Sequence, residues 1–134
     1  MKKTIIHKHS LVKAFIPRPP VKEEELNKWL TDLVDKIGMK VVIPARSFFV
    51  PDEGNEGLTG QIALSTSHIA IHVWSELKPA RIELDVYSCA EYDPLVIIDH
   101  LRDTFGLLDY ELLVIDRNGG FKVVRHDALK GTKK

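Results

Sequence analysis

From Arg81 to Tyr87 the chain alternates strictly, with apolar Ile82, Leu84 and Val86 set against charged Arg81, Glu83 and Asp85. Successive side chains of an extended segment point to opposite faces, so this run reads as a strand with one dry and one wet face. Leu58–Leu64 and His68–Trp74 read as two strands before it, and the acid- and glycine-containing stretch 52–57 as a solvated loop. Residues 5–16 form an expected first strand, stopped by Pro17, Pro19 and Pro20.

Two helices interrupt the strands. Glu23, Glu24 and Glu25 lie where a helix N-terminus favours negative charge, and Leu26, Trp29, Leu30, Leu33, Val34 and Ile37 recur at helical spacing up to a capping Gly38. Asp93-Pro94 opens a second helix carrying Leu95, Ile98, Leu101 and Phe105 and ending near Gly106. Met39–Ile43 reads as a short covered strand, Leu112–Ile115 as a late strand, and Phe121–Val124 as a hairpin arm beyond the Asn118-Gly119-Gly120 turn; the Lys-rich tail is expected to fray. The expected fold is a single α+β domain over 1–134, a two-layer sandwich of a mainly antiparallel sheet with two helices on one face.

Composition narrows function by exclusion. Nineteen Lys and Arg balance 19 Asp and Glu, so no overall field favours a phosphate backbone or an anionic lipid surface. Small molecules are the expected partners. No apolar run approaches a membrane span and the N-terminal residues carry no signal-peptide core, which sets cytoplasm as the expected compartment. Cys89 is the single cysteine and excludes an intrachain disulfide; such a residue is most often a small buried hydrophobe.

The chemistry-bearing stretch is 64–76, followed by 85–89. On an extended strand His68, Ala70, His72 and Trp74 share one side, and Ile69, Ile71 and Val73 the other. Ser67 stands at the bend before that strand and Cys89 at the end of the next, so a hydroxyl, two imidazoles and a thiol could converge. The plain alternative is a half-buried strand whose histidines are satisfied by backbone groups. His7 and His9 share a strand face, but no Cys/His zinc spacing accompanies them, and no metal is assigned. His100 in the second helix and His126 beside Asp127 read as surface or capping groups, and there is no Gly-rich phosphate loop.

The ordered pattern Ser67-His68, His72, Trp74 and Glu76, then Asp85-Val86-Tyr87-Ser88-Cys89, resembles the signature of the prokaryotic S-adenosylmethionine decarboxylases, which are pyruvoyl-dependent proenzymes. The resemblance implies that Ser67 attacks the carbonyl of Thr66 in an N-to-O acyl shift. Elimination would then split the chain into 1–66 (beta) and 67–134 (alpha), with a pyruvoyl group derived from Ser67 as the only cofactor. It further implies His72 as the proton-transfer residue of processing and Thr59, in Gly57-Leu58-Thr59-Gly60, as an assisting hydroxyl. In turnover the ketone would form a Schiff base with the substrate amine. Cys89 would act as the general acid that protonates the α-carbon, and Trp74 and Phe49 would sandwich the adenine, with Phe48 as the substitute for Phe49. Glu76 would bind the ribose. The implied product is the aminopropyl donor for polyamine synthesis, spermidine included, and the implied assembly is a homodimer with sites built from both copies.

Two departures stand out: Thr66 occupies a position where the family usually has glutamate, and the segment through Lys78-Pro79-Ala80-Arg81 is longer than usual. They leave room for a non-processing relative acting as a binding or regulatory partner, or a pyruvoyl decarboxylase of another amino acid such as arginine. Trp74 and Glu76 favour a nucleoside-bearing substrate.

Overall fold

The computed structural model describes residues 7–129. Nine elements follow in order: β1 (Lys8–Ile16), α1 (Glu23–Ile37), β2 (Val41–Val50), β3 (Gly57–Leu64), β4 (His68–Trp74), β5 (Ala80–Ser88), α2 (Leu95–Phe105), β6 (Asp109–Asp116) and β7 (Lys122–Leu129). The strands form one seven-stranded sheet in the order β2-β3-β4-β5-β1-β6-β7. Every neighbouring pair is antiparallel. The fold is the expected α+β sandwich.

Alternation along each strand builds the core. Val12, Ala14 and Ile16 of β1, Ile69, Ile71 and Val73 of β4, and Ile82, Leu84 and Val86 of β5 are buried together with Leu26, Leu30, Leu33 and Val34 of α1 and Ile97, Ile98, Leu101 and Phe105 of α2. The intervening residues form the opposite, open face. α1 begins on its three glutamates and ends at Gly38, whose positive φ of 75° lets its N–H bond Asp35 O at 3.1 Å. α2 begins where Leu95 N–H donates to Asp93 Oδ1 at 3.0 Å, so Asp93 caps it as expected.

Three expectations are corrected. The strand at Met39–Ile43 is neither short nor covered: β2 runs on to Val50 with Val42 and Ile43 more than half exposed. It is an edge strand, its register with β3 shifts twice near Pro44, and a proline without an N–H is tolerated there because one side of the strand is unpaired. The hairpin arm after the glycine turn is likewise longer, reaching Leu129. His100 is not a surface group; it is 7% exposed, stacked on Trp29 at 4.6 Å, with its Nε2 3.0 Å from Trp29 O. Chiefly because of this burial, its pKa lies below the ordinary histidine value. Residues 5–6 of the expected first strand, and the tail from 130, lie outside the described residues. No helix among the described residues is long and apolar enough to cross a membrane.

Candidate active site on the open face of the sheet

The β3–β4 hairpin presents one peptide bond at its tip. Leu64 N–H donates to Ser67 O at 2.9 Å and Ser65 N–H to Lys40 O at 3.0 Å, which leaves Thr66 exposed and Ser67 half-buried. The β4–β5 pairing runs from His68↔Tyr87 to Trp74↔Arg81 without a shift, so the longer 78–81 segment is absorbed in the turn and Cys89 keeps its place beside Ser67. Cys89 N–H donates to Ser67 Oγ at 3.0 Å, and its thiol lies 3.5 Å from Thr66 O. Hydroxyl, carbonyl and thiol therefore meet at the Thr66–Ser67 bond.

Further groups surround the thiol. His7 Nδ1 is 3.5 Å from Cys89 Sγ and 2.7 Å from the Tyr87 hydroxyl, which itself lies 4.0 Å from the sulfur. Burial pushes the Cys89 pKa up, but hydrogen bonds with Thr66, Ser67 and Tyr87 and the positive charge of Arg117 outweigh it, and the net displacement is downward. Tyr87 moves upward, through burial and then its contact with Cys89. The Arg117 guanidinium lies over the Tyr87 ring, 4.3 Å from its centroid.

His9, Tyr87 and His68 form a row across β1, β5 and β4, because His9↔Tyr87 and His68↔Tyr87 are directly paired. Asp85 Oδ1 lies 2.5 Å from His9 Nε2 and 3.4 Å from His68 Nε2. Arg117 Nη1 is 3.2 Å from His9 Nδ1. A guanidinium can only donate, so His9 Nδ1 accepts and its Nε2–H faces the carboxylate. The three donor atoms of His9, His68 and Asp85 fall within 4.8 Å of one another, a spacing compatible with a metal ion, and Arg117 occupies the other nitrogen of His9. Asp85 and Tyr87 belong to the sequence pattern but carried no role there, and Arg117 was missed; cross-strand pairing was the signal, and it becomes visible only once register is known.

A second cluster occupies the other end of β4. Thr59 pairs with His72, and Thr59 Oγ1 lies 2.6 Å from His72 Nδ1. His72 Nε2–H faces Asn55 O at 3.2 Å, which leaves Nδ1 to accept from the threonine hydroxyl. Trp74 Nε1–H donates to Asn55 Oδ1 at 2.9 Å, and its ring meets His72 edge-on at 4.4 Å. Asn55, unremarked in the sequence, thus ties the 52–57 loop to both rings. Phe48 pairs with Thr59 and so shares this face, whereas Phe49 pairs with Leu58 and projects to the helix side. Glu76 is exposed in the turn after β4.

The two clusters do not meet within one chain. At about 3.3 Å per residue, His72 lies roughly 13 Å and Trp74 roughly 20 Å along β4 from His68, the residue next to Ser67. An open concavity of about 550 Å³ lies between strands β1, β4, β5 and β6, lined by Leu11, Lys13, Ala70, His72, Glu83 and Asp85 among others.

Residues 18–118 match the family model described as S-adenosylmethionine decarboxylase. The chain belongs to the S-adenosylmethionine decarboxylase family. It is 31% identical over 94 residues to an S-adenosylmethionine decarboxylase proenzyme of Geobacillus sp. (strain WCH70), covering 70% of this chain and 71% of that one. A proenzyme of the same name from Clostridium botulinum (strain Hall) is 32% identical over 95 residues, covering 70% and 77%. One from Methanococcus maripaludis (strain C5) is 37% identical over 67 residues, half of each chain. The family match takes in Thr59, Thr66, Ser67, His72, Trp74, Glu76 and Cys89, and leaves His7 and His9 outside it.

Proposed function

We propose that this decarboxylase-family chain cuts its own Thr66–Ser67 bond and then decarboxylates S-adenosylmethionine, using a pyruvoyl group formed from Ser67. The observation that carries the proposal is the convergence of the Ser67 hydroxyl, the Thr66 carbonyl and the Cys89 N–H and thiol at the hairpin tip. In processing, Ser67 Oγ adds to the Thr66 carbonyl carbon and the C–N bond breaks, giving an ester and a free amine on residue 67. Loss of the Ser67 α-proton then expels the Thr66 carboxylate, and water replaces the amine nitrogen as ammonia.

The residues fit the resulting group: the Cys89 N–H and Sγ both face the Ser67 end of the hairpin, one a donor and the other a proton source. When present, the pyruvoyl ketone supplies the electron sink for loss of the substrate carboxylate. Cys89 holds the proton destined for the α-carbon. Trp74 offers an indole face to the adenine and the sulfonium, and Phe48 shares its side of the sheet. Glu76 is the ribose-binding candidate from the turn beside it. The product would be the aminopropyl donor for polyamine synthesis, made in the cytoplasm.

A single chain holds Ser67 and Trp74 too far apart for one small ligand to bridge. We therefore propose a homodimer in which a second copy lies antiparallel across the open face, so that Thr59, His72 and Trp74 of one chain complete the Ser67–Cys89 end of the other. Intact mass under denaturing conditions tests the processing step, beside a Ser67→Ala control. Two fragments ending at Thr66 and beginning at a blocked residue 67 support the proposal. A single uncut mass matching the control removes the electrophile and makes a non-processing binding partner the better account, an account that the distance of His72 from Ser67 in one chain also favours.

A further inference from the structure

Cys89 has a neighbour that no sequence signature includes. His7 enters the sheet one residue before β1, where its N–H bonds Asn118 Oδ1 at 2.8 Å and its carbonyl accepts from Arg117 N–H at 2.9 Å. Two backbone bonds to the β6–β7 connection thus fix where the imidazole starts. Its ring stacks along Tyr87, with 14° between the planes, and its Nδ1 reaches both the Tyr87 hydroxyl and Cys89 Sγ. Both neighbours are donors when protonated, so Nδ1 carries the lone pair in neutral His7 and the ring proton sits on Nε2.

We propose that His7 is the proton partner of Cys89, a positioning residue whose Nδ1 restores the thiol proton after the thiol has been spent. When Cys89 gives its proton to a carbon acceptor, the S–H bond breaks and a thiolate remains. Imidazolium His7 then transfers its Nδ1 proton to Sγ, becomes neutral with Nε2–H retained, and regains a proton from solvent. No other reactant is needed. With Nδ1 held 3.5 Å from the sulfur, the returning proton comes from a fixed neighbour rather than from bulk water.

The groups facing this pair come from every neighbouring element. Tyr87 of β5 competes for Nδ1, and Arg117 beyond β6 lies over the Tyr87 ring. The Thr66 carbonyl and Ser67 hydroxyl come from the β3–β4 hairpin. His9 and His68 stand in the row of Tyr87 and Asp85 in the row beyond it, while Lys8 and Glu91 pair with each other nearby. The positive charge of Arg117 and the hydrogen bonds to sulfur favour the thiolate.

The pairing is a property of the chain whether or not Thr66–Ser67 is cut; only its use in turnover rests on the function proposed above. The test is the rate of Cys89 alkylation by iodoacetamide from pH 5 to 10, on the full chain and on His7→Ala, His7→Asn and Tyr87→Phe. His7→Ala is expected to slow alkylation at pH 7 by about tenfold and to move the inflection upward toward an ordinary thiol. His7→Asn, which can hydrogen-bond but cannot carry the proton, should behave like His7→Ala, and Tyr87→Phe, which loses one hydrogen bond to sulfur but leaves Nδ1 to Cys89 alone, should alkylate faster than His7→Ala. Superimposed profiles for the unsubstituted chain and His7→Ala overturn the proposal. So does a His7→Asn profile that matches the unsubstituted chain, or a Tyr87→Phe variant as slow as His7→Ala. An uncut chain that keeps the His7-dependent profile would overturn the processing proposal and leave this one standing.

Discussion

Replacing Gly57 with alanine should damage the fold far more than replacing Gly54, although the two glycines are close in sequence, one in the loop and the other at the start of β3. Gly57 has φ of 146°, and a Cβ built on it would lie 1.7 Å from the backbone oxygen of Val73. That oxygen belongs to β4, between His72 and Trp74, and cannot swing away as a side-chain tip would. A backbone conformation of this kind costs about 1–3 kcal/mol for a residue with a side chain, and overpacking against fixed atoms about 1–3 more, so a loss of about 4 kcal/mol is expected. An unfolding entropy of about 2.1 cal/mol/K per residue converts this to a fall in Tm of about 14 °C. Gly54 has φ of 86° with nothing within 4 Å of an added Cβ, so only the conformational penalty of about 1 kcal/mol applies, or about 4 °C. Thermal unfolding followed by circular dichroism distinguishes the two. Melting temperatures for Gly57→Ala and Gly54→Ala that agree within 3 °C or so would refute the close-approach argument.

Other perturbations probe separate parts of the molecule. His100 keeps a folded-state pKa below its unfolded value, so it contributes stability above the unfolded pKa that is lost as pH falls toward the folded one. Urea denaturation should therefore show His100→Phe losing less stability than the unsubstituted chain between pH 7.5 and 5.5, and equal losses would mean the imidazole is not held neutral. In a shared-site dimer, neither Ser67→Ala nor His72→Ala cleaves alone, whereas chains co-expressed with one substitution each recover cleavage of the His72→Ala chain. Efficient cleavage of His72→Ala on its own, or none in the mixture, would contradict assembly of the site from two copies.

Much of the fold was legible because its signals are local. The alternation in 81–87, the helical spacing from Leu26 to Ile37 and the Asp93-Pro94 start each depend on residues within a turn or two, and the structure places those elements as expected. The misreadings involve context. Val41, Val42 and Ile43 look like a covered strand, yet their side chains are exposed because β2 lies at the sheet edge, a property of strand order rather than of the segment. His100 is buried because Trp29, far away in sequence, stacks on it. At the site, Ser67 and Cys89 were readable as neighbours across one hairpin. His7 and Arg117 were not, since they arrive from just before β1 and the end of β6 through pairings that no short motif records. The family pattern names Thr59, His72 and Trp74 together with Ser67, but they stand at the far end of the β3–β4 pair from Ser67, the gap that the proposed second copy would close.

The most direct test of the account is release of labelled carbon dioxide from carboxyl-labelled S-adenosylmethionine by the purified full chain, beside Ser67→Ala and with labelled arginine as the competing substrate. The account predicts release from S-adenosylmethionine, none from arginine, and loss of activity to background in Ser67→Ala. Release that survives in Ser67→Ala, or no release from S-adenosylmethionine by the cleaved chain, would contradict it.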